Sequence, residues 1–344
     1  MVRLGCFVIL SLALALTSGR PGAQSAQRAR PIQQDPFWLF EPAVELSAQE
    51  RQNIARGEPI VKTLDADGQQ LTVFAGGSLE TTPEAFIANV RKVVALRKGR
   101  YVSASGRFAS LPQVSDLSAL TLGDSDLEDI EACRPRDCGL KLGAEEMVRL
   151  QRAAATSDTK QAVRREFRRI VLNRVKAYLA DGYAGLPPYE DKEKPVQPAS
   201  VASLLLERSS LSRHAPAFAD YLAGAPRTKP DDVESFLYWS KEDFGQKPVI
   251  TVSHVNILRG AGRAGLPAVI VASEQIFASH YMDGALTVAT LEYDTASHPS
   301  ARLGYVYRSS IDVLDGLLRR PIVEGRIEDE GKRLFVEQLK RLEQ

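Results

Sequence analysis

The sequence is poor in the residues that most often announce a function. It holds three cysteines, four histidines, three methionines and two tryptophans. That scarcity excludes a disulfide-dense scaffold and a Cys- or His-rich metal array. Neither sign of charge is in excess, because 44 Lys and Arg stand against 43 Asp and Glu, for a formal net charge of +1. Nucleic-acid binding usually needs a strongly basic face or stripe, so no nucleic-acid partner is expected. G-x-S-x-G and H-E-x-x-H are both missing, which removes the commonest sequence-readable hydrolase and metalloprotease signatures. No catalytic residue, cofactor or metal ligand is assigned, and enzyme status has no positive support.

Long hydrophobic runs are also lacking. Phe7 to Leu16 is apolar and uncharged but falls short of the ~20 residues a spanning helix needs. Arg3 lies before it, and the small residues Ala23 and Ser25 come after. Residues 1–25 therefore read as a cleaved secretory signal peptide, with the mature chain starting near Ala26. A retained signal anchor is the alternative. Cys6 falls inside the signal and no cysteine follows the apolar run, so no lipid anchor is expected. The chain is expected to be exported, either periplasmic or secreted. In an oxidising compartment, Cys133 and Cys138 in C-R-P-R-D-C suit a disulfide; a zinc site would need a second Cys or His pair nearby.

What is present divides the rest into four parts: an arm and short helix (26–58), a hairpin, helix and Cys-pair region (59–143), a helical insertion (144–230), and an antiparallel sheet with a C-terminal helix (231–344). The apolar run Phe37 to Phe40, between two prolines, must dock on something, and its own domain is the simplest candidate. Ser47 and Glu50 form a capping box for a helix ended by Gly57. Ile60 to Asp65 and Gln70 to Ala75 flank Asp67-Gly68 as a hairpin. Thr82 and Pro83 start a helix whose Phe86, Val90, Val93 and Val94 share one face before Gly99. A strand is expected at Ala119 to Leu122 and an acidic helix after Asp124.

Ala144 to Ala180 is strongly helical, and Val163, Phe167, Ile170, Val171 and Tyr178 mark a buried stripe. Arg164, Arg165, Arg168, Arg169 and Lys176 make the opposite face basic. A solvated face and peripheral contact with an anionic membrane are both compatible with that pattern. Helices follow near Val201 to Arg208 and Pro216 to Leu222. Segments rich in Val, Ile, Thr, Tyr and Phe then predict strands at Val233–Trp239, Val249–Leu258, Ala268–Ala278, Ala285–Tyr293 and Leu303–Tyr307, in an antiparallel meander. Pro321 opens a last helix in which Ile327, Leu334, Phe335, Leu339 and Leu342 can face a sheet. The fold class is α+β.

Three motif matches are weak. Gly260 to Gly265 spells G-x-G-x-x-G but joins two strands, so it reads as a hairpin loop without the helix a phosphate cradle requires. Ser157 to Lys160 fits S-x-x-K, with a helix cap the simpler role. Asp124, Asp126, Glu128 and Asp129 lack the glycine and final glutamate of a calcium loop, and read as an acid-enriched helix start.

The segments Phe236 to Lys241, Val249 to His254, Ser279-His280-Tyr281 and Tyr305 to Arg308, with the long last helix, resemble the START-like helix-grip superfamily and an uncharacterised family of exported bacterial proteins within it. The resemblance implies a cavity between the sheet and the last helix, holding an apolar or amphipathic small molecule or a lipid. Candidate ligand-binding residues are Trp239, Ile250, Val252, His254, His280, Tyr281 and Arg308, with Asp283 beside them. Strand alternation puts Ile250, Val252, His254 and Asn256 on one face, with His254 a polar handle in an apolar row. A sheet histidine acting as general base in a hydrolase-like enzyme is the alternative, and an envelope interaction module using the basic helix is a third.

Overall fold

A computed structural model describes residues 36–64, 69–92, 101–156, 158–224, 229–243, 247–260, 265–294, 300–312, 328–337 and 339. The signal peptide, Asp67-Gly68, Val93, Val94, Gly99, Pro321, Ile327 and Leu342 lie outside the described residues, as do Ser157 and 261–264.

Among the described residues, eight antiparallel strands form one sheet: β1 (Ile60–Leu64), β2 (Gln70–Leu79), β3 (Val102–Arg107), β4 (Val233–Glu242), β5 (Val249–Arg259), β6 (Val269–Ala278), β7 (Met282–Asp294) and β8 (Ser300–Ile311). Their order is β1-β2-β8-β7-β6-β5-β4-β3. The meander from β4 to β8 is as expected. The first hairpin adds to its late edge and β3 to its early edge. No strand forms at Ala119 to Leu122. The carbonyls of Leu120 and Leu122 instead accept from the guanidinium groups of Arg168 and Arg164, 2.8 and 3.4 Å away, while the two leucines bury inward. The strand of that region is β3, which pairs with β4.

The helices are α1 (Ala48–Ala55), α2 (Pro83–Arg91), α3 (Asp124–Ala132), α4 (Ala144–Ala154), α5 (Thr159–Asp181), α6 (Pro198–Glu207), α7 (Leu211–His214), α8 (Pro216–Leu222) and a terminal helix described over 328–337. Both reciprocal bonds of the Ser47–Glu50 capping box form on α1. Thr82 caps α2, with Pro83 in its first turn. The helical stretch from Ala144 consists of two helices, α4 and α5. Asp158, at the N-cap of α5, makes no side-chain cap bond. None of the described helices is long and apolar enough to cross a membrane.

Both faces of the sheet are covered. On one face Leu71, Val73, Val255, Val271, Ala289 and Tyr305 pack with Phe86 and Val90 of α2 and with Leu334, Phe335 and Leu339 of the terminal helix. A Cβ on Gly77 would lie 2.7 Å from Leu339, so the bare glycine lets the terminal helix seat closely on β2. The opposite face carries the helical insertion in two patches. Leu237, Trp239, Ile250 and Val252 lie under α3, α4 and α5, whereas Phe74, Ile270, Leu286 and Val306 lie under α6, α8 and the Phe37–Phe40 arm. That arm does dock on its own chain, with Phe37 and Phe40 edge-on to Phe74. Cys133 and Cys138 are disulfide-bonded at the end of α3.

Candidate functional site

Period-2 alternation sends every second residue of a strand to the insertion face. Register then aligns these residues laterally: Leu237 pairs with His254, His254 with Glu274, Glu274 with Leu286, Leu286 with Arg308, and Arg308 with Thr72. One row across six strands thus holds a histidine, a carboxyl and a guanidinium, all beneath helices.

A cavity of about 260 Å³ opens where the two insertion-face patches meet. Its walls are the C-terminal end of α5 with the following turn (residues 178–183) and the last turn of α8 (residues 221–224). Its floor is Ser235, His254 and Glu274 on three adjacent strands, and Lys229 stands at the edge. The α5 helix ends here because Gly182 takes a φ of +60°, which a side chain would resist, and its N–H returns to the Tyr178 carbonyl. Gly224, at φ +88°, ends α8 in the same way.

The floor is a connected polar network. Tyr178 Oη lies 3.0 Å from His254 Nδ1 and is also hydrogen-bonded to Glu274. Asn256 Nδ2 donates to Glu274 Oε2 at 3.1 Å, and Tyr221 donates to Asn256 Oδ1 at 3.2 Å. Tyr183 donates to the Gln275 carbonyl at 3.5 Å. Burial pushes the Glu274 carboxyl up to about 8, against the weaker opposing effect of its bonds from Tyr178 and Asn256. Burial likewise lowers His254 to about 4 and raises the Tyr178 and Tyr183 phenols well above their ordinary value. At neutral pH the network therefore carries no formal charge: a protonated carboxyl, a neutral imidazole and phenols. A path runs from the Glu274 carboxyl through the Tyr178 hydroxyl to the His254 ring, whose edge borders the cavity.

Of the residues the sequence nominates, only His254 lines this cavity. The face that carries His254 is covered by the insertion, while the terminal helix lies on the other face. Ile250 and Val252 share that face but are fully buried in the apolar patch under α5. Trp239 is equally buried and donates its indole N–H to the Asp116 carbonyl at 2.9 Å. His280 is locked between the Gly139 carbonyl (2.7 Å) and Asp126 (3.1 Å). Burial works against ionisation of Asp126, but bonds from His280 and the Gly123 N–H outweigh it and leave its carboxyl below the ordinary value. Tyr281 takes a φ of +62° in the β6–β7 turn and accepts from the Lys247 N–H.

Asp283 belongs to a separate buried cluster, in which Lys141 Nζ lies 2.6 Å from Asp283, 3.1 Å from Asp312 and 3.7 Å from Asp191. Burial alone would lower Lys141, yet the three carboxylates hold it above its ordinary value. Arg308 shares the row with Glu274 but sits near Arg208, the C-cap of α6. It donates to Thr72 Oγ1 at 3.1 Å, and burial, aided by Arg208, lowers it to about 10. The basic face of α5 is largely engaged: Arg164 and Arg168 reach the loop carbonyls named above, Arg165 faces Asp158, and Arg169 faces Glu166.

Glu274 is the residue that sequence reasoning missed. Its signal was the one charged side chain of the strand from Val269 to Ala278, set with Ser273 and Gln275 between two apolar runs. Comparison with family models, with curated proteins and with solved structures finds no match.

Proposed function

We propose that this chain is an exported small-molecule-binding protein, with its ligand held between the sheet and the helical insertion and without covalent chemistry. The observation that carries the reading is the cavity of about 260 Å³, whose floor places hydrogen-bonding groups from three strands beneath the ends of two helices. Binding sites combine shape with a few placed polar groups in this way. The volume lies just under the usual range of about 300–1,000 Å³ for ligand pockets, which favours a compact ligand over an acyl chain. The helix-grip resemblance is supported by the pairing of β2 with the last strand and by a terminal helix lying across one face of the sheet. The cavity, however, lies on the other face, so the site belongs to the insertion and not to the grip.

Two measurements test this. Native mass spectrometry of protein purified from its own cells should find a bound small molecule. Ala223→Trp, at an exposed position on the cavity wall, should abolish that binding while leaving the fold intact. Unchanged binding in the tryptophan variant would sink the reading. A second reading, acid–base catalysis, is favoured by the Glu274–Tyr178–His254 chain, since a relay ending on an imidazole could move a proton. Turnover distinguishes the two: a catalyst turns its bound ligand over and loses that turnover in His254→Gln, whereas a binding protein releases its ligand unchanged in both forms.

A further inference from the structure

The chemistry of this cavity is set by one comparison. Two other buried acids have an internal cation: Glu146 faces Arg174 at 2.6 Å, and Asp283 faces Lys141. Glu274, only 5% exposed, has none among the described residues and borders open space instead. Its carboxyl already has two donors in place, Asn256 and Tyr178, which suit the ionised form. What that form lacks is a positive charge. Resting on the small-molecule reading above, we propose that the cavity recognises a compact organic cation, with its ammonium group seated among Tyr178, Tyr183 and Tyr221 and against Glu274.

The surroundings agree in sign. The cavity is walled by the C-terminal end of the 23-residue α5 and by the last turn of α8, and helix C-termini carry partial negative charge. Asp181 adds a carboxylate at the edge. Tyrosine rings attract cations through their π faces. The charged and titratable groups on the cavity are Asp181, Tyr178 and Tyr183 from α5 and its turn, Tyr221 from α8, Lys229 before β4, His254 from β5 and Glu274 from β6. Among the described residues that line the cavity, Lys229 is the one opposing cation, and its ammonium is turned to the Val233 carbonyl, 2.6 Å away. His254, held near 4 by burial, adds no positive charge at neutral pH.

Seating an ammonium should ionise Glu274. The carboxylic O–H bond breaks, the proton passes to solvent, and the carboxylate pairs with the ligand. Because Glu274 sits near 8 in the free protein, the apparent affinity should rise about tenfold between pH 7 and pH 9.

The experiment is calorimetric titration of the full-length protein with choline, ethanolamine and putrescine, alongside 3,3-dimethylbutan-1-ol as the uncharged counterpart of choline. Choline does not titrate, so its pH dependence reports the protein alone. At least one ammonium compound should bind at least tenfold more tightly than the alcohol. At pH 7 the heats in phosphate and Tris buffers should differ by the release of close to one proton. Glu274→Gln should weaken ammonium binding at least tenfold and remove its pH dependence, with circular dichroism checking the fold. The wild-type pH profile carries the test even if that variant misfolds. Equal or tighter binding of the alcohol, or no ammonium binding up to millimolar concentration, overturns the cation assignment. The two proposals fail separately: neutral binding that Ala223→Trp abolishes leaves the pocket standing and removes only the cation, whereas any binding untouched by Ala223→Trp removes the pocket.

Discussion

Glu274 and His254 face each other across β5 and β6, and their protonation moves stability in opposite directions with pH. The Glu274 carboxyl is raised from an ordinary 4.5 to about 8, so its contribution is complete below 4.5 and is lost as pH climbs towards 8. His254 is lowered from 6.5 to about 4, so its contribution is complete above 6.5 and is lost as pH falls towards 4. Between about 4.5 and 6.5 the two slopes oppose and largely cancel. From 6.5 to 8 Glu274 acts alone, and the unfolding free energy should drop by ~2 kcal/mol across that window. Urea unfolding at pH 5.5, 6.5 and 8 measures it, and Glu274→Gln should flatten the alkaline limb. A wild-type profile that stays level to pH 8 would mean that the carboxyl is already ionised and paired, which contradicts its neutral burial.

At the scale of elements, Lys141 joins parts of the chain that the sequence keeps far apart. Its ammonium meets Asp283 at the start of β7, Asp312 just past β8 and Asp191 in the loop before α6, while its ring-side contact is Tyr189. Lys141→Met keeps the apolar stem but leaves three buried carboxylates facing one another, with only Lys192 still on Asp312. Removing one partner of a buried ion pair costs about 3–5 kcal/mol, and the loss should appear in equilibrium denaturation at pH 7. Burial holds the Asp191 carboxyl above its ordinary value, so its protonation at acid pH relieves part of the repulsion and the deficit should shrink as pH falls. None of this cluster was readable in advance, because no local pattern links positions 141, 191, 283 and 312. Elements with strong local signals were legible: the Ser47–Glu50 box, the Thr82-Pro83 start and the β-branched runs of β4 to β8. The β3 strand, Val-Ser-Ala-Ser-Gly-Arg, was not, since small polar residues form an edge strand only when β4 supplies the pairing.

At the scale of the whole molecule, the layering explains why one candidate residue reached the cavity and the others did not. Alternation correctly grouped Ile250, Val252, His254 and Asn256 on one face of β5. Alternation cannot say which layer covers that face, and here both faces are covered, so β5 and β6 are buried along almost their whole length. The terminal helix took one side and the insertion the other. The cavity lies at the junction of the two insertion-face patches, with Tyr178 from the α5 patch and Tyr221 from the α8 patch on opposite walls. A ligand there ties the two patches together. Binding that favours the folded state adds RT ln(1 + [L]/Kd) to stability, ~2.7 kcal/mol at a hundredfold excess over Kd. Saturation with the ammonium compound that binds in the calorimetric titration should therefore slow amide exchange in residues 178–183 and 221–224 and in the facing stretches of β5 and β6. Residues 328–337, on the far side of the sheet, should exchange as before. Protection concentrated in the terminal helix, with residues 178–183 unchanged, would return the site to the grip face and overturn the placement argued from His254 and Glu274.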